Sequence, residues 1–263
     1  MKNKHLFIVC MNNSGSTALQ ESLIKCERVV GLPRQEGKES RATSSEGQVH
    51  AAKYMPIPWK NNVDALWTEK EGLFRSRENY DWSAIRSTWN DLWRKSSKYK
   101  DSNTVLLEKS PPNVLRAALL QEQFDNSYFL IMVRNPYATC EGMRRRYGKP
   151  LARAARHWCS ASRHQMNNIK SLKNSFWFTY EQLCNKQKYI EKNIIELMPE
   201  LHDFSLSKKV GGANSIDGKG AKKIKSYNDR QINNLSKADI RTINAELRYS
   251  QNVMKYFGYS MRY

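Results

Sequence analysis

The chain predicts an α/β fold: three layers, with a central, mostly parallel sheet flanked by helices. Three observations carry this. Short apolar runs recur along the chain without polar alternation, as in strands buried on both faces of a parallel sheet. Amphipathic helical patterns separate them, and strand–turn–helix units in series build one open sheet with right-handed crossovers. At 263 residues, 40% hydrophobic and 26% charged, the chain can bury a sizeable core.

The elements follow in order. His5–Met11 is the first strand; the apolar run is too short for a signal peptide and lacks a small-residue cleavage site. Thr104–Glu108, Tyr128–Val133 and Phe176–Thr179 are the other candidate strands. Helical spacing marks Ser16–Cys26, Trp82–Ser96, Pro111–Phe124, Tyr137–Arg146 and Leu151–Leu172, with Pro111 and Pro136 at first-turn positions that tolerate proline. Trp82, Ile85, Trp89, Leu92 and Trp93 share a helical face, the pattern of core. Pro33–Val49 and Ser205–Tyr227 read as loops, and the tail from Asn228 as helices. One domain, 1–263, accommodates all of these.

Five dispersed cysteines, with no CxxC pair, give neither a disulfide framework nor a zinc site, so a reducing, cytoplasmic setting is expected. No apolar stretch approaches the ~20 residues that span a bilayer. Forty-four Lys+Arg against 25 Asp+Glu leave a net charge of +19, a field that favours anionic ligands. No zinc-finger or RRM signature accompanies it, so specific nucleic-acid binding is not expected.

The turn after the first strand, Met11-Asn12-Asn13-Ser14-Gly15-Ser16-Thr17, opens a helix. Glycine permits a tight turn, and hydroxyls and free amides then face an anion at the helix N-terminus. Aligned with G-x-x-x-x-G-K-[ST], the turn has Cys10 for the first glycine and Ser16 for the lysine; only Gly15 and Thr17 fit. A nucleotide kinase therefore stands as an alternative without its main γ-phosphate contact. Downstream, Glu108-Lys109-Ser110-Pro111-Pro112 ends a strand, Tyr128–Val133 leads into Arg134-Asn135-Pro136, and Phe178-Thr179-Tyr180-Glu181-Gln182-Leu183 closes another strand.

Together these segments resemble the PAPS-dependent sulfotransferases, most closely tyrosylprotein sulfotransferases and small bacterial relatives, and with them a P-loop-like fold. Ser14-Gly15-Ser16-Thr17 match the 5′-phosphosulfate loop, with Asn13 in place of the usual cation and Ala18 continuing the helix. The resemblance implies that Lys109 neutralises charge on the transferring group. It also implies that Arg134 and Arg146 grip the 3′-phosphate and that Tyr180 contacts the nucleotide. The family serine eight residues after Arg134 is Gly142. The co-substrate implied is PAPS, with PAP as product and no metal. The lysine-bearing loop with Lys219, Lys222, Lys223 and Lys225 is expected to cover the nucleotide.

Related enzymes place the base in the loop after the second strand. Glu36 is the candidate catalytic base there, with Glu39 and His50 as rivals. The acceptor would be a hydroxyl-bearing glycan, peptide tyrosine or small alcohol, and the basic field suits an acidic one. It is expected near the aromatic-rich stretch before Ser102, where Trp59 and Trp67 remain open. A non-catalytic nucleotide- or polyanion-binding protein is the further alternative.

Overall fold

The computed structural model describes residues 2–35, 45–58, 66–207, 209–211 and 221–263. In chain order the elements begin with β1 (Lys4–Cys10), α1 (Ser16–Ile24), β2 (Val29–Gly31), α2 (Gly47–His50), α3 (Glu71–Arg75) and α4 (Trp82–Arg94). β3 (Val105–Lys109), α5 (Asn113–Gln123), β4 (Ser127–Val133), α6 (Pro136–Tyr147), α7 (Leu151–Ser171) and β5 (Ser175–Thr179) follow. The chain continues through α8 (Tyr180–Asn185), α9 (Gln187–Leu197), a β6/β7 pair (Val210–Gly211, Ala221–Lys222), α10 (Asn228–Asn233), α11 (Lys237–Leu247) and α12 (Gln251–Tyr256).

The main sheet has five strands in the order β2-β3-β1-β4-β5, all parallel. β2 is a strand the sequence pattern does not show. With three residues, Val-Val-Gly, it is too short for any periodicity. α2 overlaps the end of the Pro33–Val49 segment expected to be loop, and the β6/β7 pair lies within Ser205–Tyr227, the second one.

Strand alternation sorts the core into two layers. Phe7, Val9, Phe129, Ile131 and Val133 pack on one face with Trp89, Trp93 and Trp158. Leu6, Ile8, Leu130 and Met132 pack on the other with α1 and α9 residues such as Leu19, Leu23, Ile190 and Ile194. Trp82, Ile85, Trp89 and Trp93 are all buried, as their spacing predicts. Burying both faces explains why the strands carry no polar alternation.

Because β1 is central, its neighbours β3 and β4 bring their carboxyl ends beside its own. In open parallel sheets this edge is where ligands bind. Two side chains from α7 stabilise it from below. Gln165 Nε2 donates to the Val9 carbonyl at 2.7 Å, and Trp158 Nε1 to the Arg134 carbonyl at 2.8 Å.

Candidate active site

The turn between β1 and α1 is built on two residues with left-handed backbone, Asn13 at φ 62° and Gly15 at φ 86°. Asparagine is among the few non-glycine residues that accept this region. Position 13 is thus fixed by backbone conformation as much as by charge. Ser14 is fully buried, and its hydroxyl donates to the Met11 carbonyl at 2.7 Å, closing the turn. A side chain at Gly15 would place its Cβ 2.5 Å from Tyr180 Cδ2, so the glycine lets the ring cover the turn. The Ala18 N–H donates to the Gly15 carbonyl at 3.0 Å, whereas the Ser16 and Thr17 amides precede the first intrahelical acceptor.

Two guanidiniums meet this turn. Arg134, at the end of β4 and 6% exposed, donates through Nη1 to the Asn13 carbonyl at 2.7 Å and through Nε to Asn228 Oδ1 at 2.9 Å. Its Nη2 donates to Gln231 Oε1. The guanidinium lies 4.0 Å from the centre of the Tyr180 ring, a cation–π contact. Burial lowers the Arg134 pKa, against the opposing pull of Tyr180 and Glu181. Arg146, in the last turn of α6, donates through Nη1 to Asn13 Oδ1 at 2.9 Å. Asn13 Nδ2 is buried and has no partner among the described residues, a donor beside these cations.

On the opposite side of β1, Lys109 ends β3 with only 3% exposure, not as a solvated strand-end lysine. Its ammonium lies 2.9 Å from Glu46 Oε1, and Glu46 is 2% exposed. Burial opposes the charge on Lys109, but Glu46, Cys10 and Glu108 outweigh it, so its pKa is raised. Burial likewise pushes the Glu46 carboxyl up, against the pull of Lys109. Burial raises the Cys10 thiol, while Lys109 and the hydroxyls of Ser16 and Ser14 pull it down. Cys10 thus marks where the phosphate-type turn and Lys109 converge.

The expected residues gather accordingly. Asn13, Ser14, Gly15, Ser16, Arg134, Arg146 and Tyr180 share one edge of the sheet, with Lys109 beside Cys10. Tyr180 starts α8, under a Thr179/Gln182 capping box, and its hydroxyl donates to the Lys225 carbonyl at 3.0 Å. Gly142 is packed: an added Cβ would lie 3.2 Å from Gln231 Nε2 and 3.4 Å from Asn13 Cγ. The serine position is therefore filled from outside by Gln231, which donates to the Ala138 carbonyl at 3.0 Å and Glu141 Oε2 at 2.6 Å.

Glu36, Glu39, Trp59 and Lys219 lie outside the described residues. His50 Nε2 lies 2.8 Å from the Pro33 carbonyl. Trp67 is buried, and its Nε1 donates to Asn12 Oδ1 at 2.8 Å, tying the aromatic-rich segment to the turn. A cleft next along that segment is walled by Tyr54, Met55, Ile57, Leu73 and Tyr80.

Sequence reasoning missed Glu46, Glu108, Glu181, Asn228 and Gln231. Glu46 is a third glutamate in the loop already suspected, with no local signal separating it from Glu36 or Glu39. Glu181 sits in the quoted Tyr-Glu-Gln-Leu run; its Oε1 accepts from the Asn135 N–H at 3.1 Å and from Asn228 Nδ2, and its Oε2 from the Tyr259 hydroxyl at 2.8 Å. Among the described residues no group of His, Cys, Asp and Glu has the arrangement to hold a metal ion, and no helix is long and apolar enough to cross a membrane.

The five-stranded parallel sheet flanked by helices, with a hydroxyl-rich turn, a buried lysine and two convergent guanidiniums at one edge, has the architecture of an α/β transferase. A model of the sulfotransferase family matches residues 5–198, and the chain belongs to that family. No curated protein sequence matches it. Three solved structures share the fold. The sulfotransferase domain of the curacin biosynthetic pathway is 17% identical, with a TM-score of 0.54 and coverage of 100% of this chain and 99% of that one. The sulfotransferase domain of the Synechococcus PCC 7002 olefin synthase is 17% identical, with a TM-score of 0.56 and coverage of 100% and 98%. A sulfotransferase from Alicyclobacillus acidocaldarius is 11% identical, with a TM-score of 0.53 and coverage of 99% and 98%. The activity of the chain is sulfuryl transfer.

Proposed function

We propose that the chain is a PAPS-dependent sulfotransferase acting on an acceptor hydroxyl, with Glu46 as the proton acceptor and Lys109 as its cationic partner. The observation that carries the donor assignment is the meeting of Arg134 and Arg146 at Asn13, in the turn whose far side faces Lys109. Cations on either side of this turn suit the two charged ends of a bisphosphorylated nucleotide. The unpartnered Nδ2 of Asn13 and the free amides of Ser16 and Thr17 suit phosphate or sulfate oxygens.

In the transfer, the acceptor oxygen attacks sulfur as its proton passes to the Glu46 carboxylate. The bond between sulfur and the bridging oxygen breaks, and the electron pair leaves on the 5′-phosphate of PAP. Lys109 faces the charge that develops there. Because the Lys109–Glu46 pair is shut away from bulk water, each charge acts at low dielectric, where electrostatic stabilisation is strongest. A carboxyl raised by burial is also better matched to proton transfer near neutral pH than an exposed glutamate. The basic field favours an acidic acceptor, and a cytoplasmic setting fits the five free thiols.

Transfer of labelled sulfate from PAPS to a panel of glycans, tyrosine peptides and small alcohols tests this reading. Parallel Glu46→Gln and Glu36→Gln variants assign the base. A base contributes roughly 10²–10⁴-fold, so Glu46→Gln is expected to lose that much turnover while Glu36→Gln keeps it. PAP binding without sulfate transfer to any acceptor would instead support a non-catalytic nucleotide-binding protein.

A further inference from the structure

Glu108 is fully buried, and among the described residues no cation forms an ion pair with it, Lys109 being paired to Glu46. An ionised carboxylate at that depth is tolerated only if its lone pairs are filled. Three donors fill them: the Gly47 N–H at 2.9 Å, Asn113 Nδ2 at 2.6 Å, and the Ser110 hydroxyl. Behind Asn113 stands a second buried ion, Arg116, whose Nε donates to Asn113 Oδ1 at 2.8 Å. Arg116 Nη2 has no hydrogen-bond partner among the described residues, Nη1 reaches Met55 Sδ at 3.8 Å, and the Tyr80 hydroxyl lies close to the guanidinium. The Asn113 amide therefore joins a carboxyl group to a guanidinium.

What Glu108 holds is the turn that carries Glu46. Gly47 is held through both of its backbone groups, its N–H donating to Glu108 Oε1 and its carbonyl accepting from Trp89 Nε1 at 3.0 Å. A side chain at residue 47 has no room: its Cβ would lie 2.5 Å from Trp89 Cζ2 and 2.8 Å from Glu108 Cγ. A second route runs through Ser110, which donates to Glu108 and accepts from the Gln48 N–H at 3.3 Å. Gln48 Nε2 in turn donates to Glu46 Oε2 at 2.6 Å, leaving Oε1 to Lys109.

We propose that Glu108 is a positioning residue for sulfuryl transfer, which locks the Glu46–Gly47 turn to the end of β3 so that Glu46 meets Lys109. This rests on the reading of Glu46 as proton acceptor. On adjacent positions of one strand, Lys109 faces the reaction and Glu108 faces the other layer, where it holds the loop that supplies the base. Among the described residues, the charged and titratable groups around Glu46 are Lys109 and Glu108 from β3, Cys10 from β1, and Arg116 from α5 behind Asn113.

The test measures PAP affinity by calorimetry, and PAP release from PAPS across pH with the best acceptor of the panel, for Glu108→Gln, Ser110→Ala and Glu46→Gln. Misplacing a catalytic group by about 1 Å can cost roughly 10²-fold. Glu108→Gln is expected to lower kcat by about that much while PAP affinity holds. It also removes a negative charge that raises the Glu46 pKa, so the acidic limb of the kcat/KM profile moves to lower pH. Unchanged kcat and an unmoved acidic limb would overturn the proposal, as would parallel losses of kcat and PAP affinity. Should Glu108→Gln not fold, Ser110→Ala decides: cutting the second route is expected to lower kcat with PAP affinity held, and wild-type kcat overturns the proposal. An active Glu46→Gln overturns the assignment of the base itself, whereas an inactive one beside a normal Glu108→Gln overturns only the positioning role.

Discussion

Arg134 donates through Nη1 to the backbone carbonyl of Asn13 at 2.7 Å, across the gap between the ends of β4 and β1. The residue expected to grip one end of a nucleotide thus also fixes the turn expected to grip the other. Asn13 stands where the family has a cation, and its left-handed backbone and its two arginine contacts explain how the turn is held without one.

Arg134→Ala is expected to weaken PAP binding tenfold or more, since a charge-assisted contact contributes ~1.5–3 kcal/mol. It also strips partners from Asn228, Gln231 and the Asn13 carbonyl, so stability should fall by roughly 1–3 kcal/mol. Arg134→Lys should not restore binding, because an ammonium cannot reproduce the fork or stack on Tyr180. Calorimetric titration with PAP and urea unfolding measure both effects; wild-type affinity in a folded Arg134→Ala protein would remove the site.

Gly15 is constrained twice, by its φ of 86° and by the Tyr180 ring where a Cβ would sit. Gly15→Ala should cost on the order of 1–3 kcal/mol from the backbone alone, and more from the contact. Combining it with Tyr180→Ala should recover the contact part and leave the backbone part. A double-mutant cycle by urea denaturation separates them, and strict additivity would show that the ring does not restrain this turn.

The sequence made the fold legible where its signals were long. β1, β3, β4 and β5 stood out as apolar runs, and Trp82, Trp89 and Trp93 as one helical face. β2 was not legible, because Val29–Gly31 is too short to show a period. Of the candidate site, the turn at 13–17, Lys109, Arg134 and Tyr180 stand out in the sequence because each ends or follows a recognisable strand. Glu46 does not: three glutamates crowd one loop, and only the tertiary contact with Lys109 singles one out. Asn228 and Gln231 were likewise invisible, since they reach Arg134 from almost a hundred residues away and neutral amides carry no pattern of their own.

His157, on α7, supplies a pH dependence unrelated to chemistry. Its ring is 2% exposed, Nδ1 lies 2.7 Å from the Thr68 hydroxyl, and Nε2 is buried with no partner among the described residues. Burial lowers its pKa from 6.5 to about 3, against the weaker pull of Glu69. The sign follows directly. Between those two values the unfolded chain binds a proton that the folded protein excludes, so stability falls as pH drops below 6.5 and levels off near 3. One such proton changes stability by about 1.4 kcal/mol per pH unit, or roughly 2 kcal/mol between pH 6.5 and 5. His157→Phe removes the titration and leaves the Thr68 hydroxyl without its ring partner. The variant should therefore be less stable at pH 7 yet show a shallower decline on acidification. Urea midpoints at pH 7, 6 and 5 for both proteins check this, and identical slopes would show that His157 titrates alike in the folded and unfolded chains.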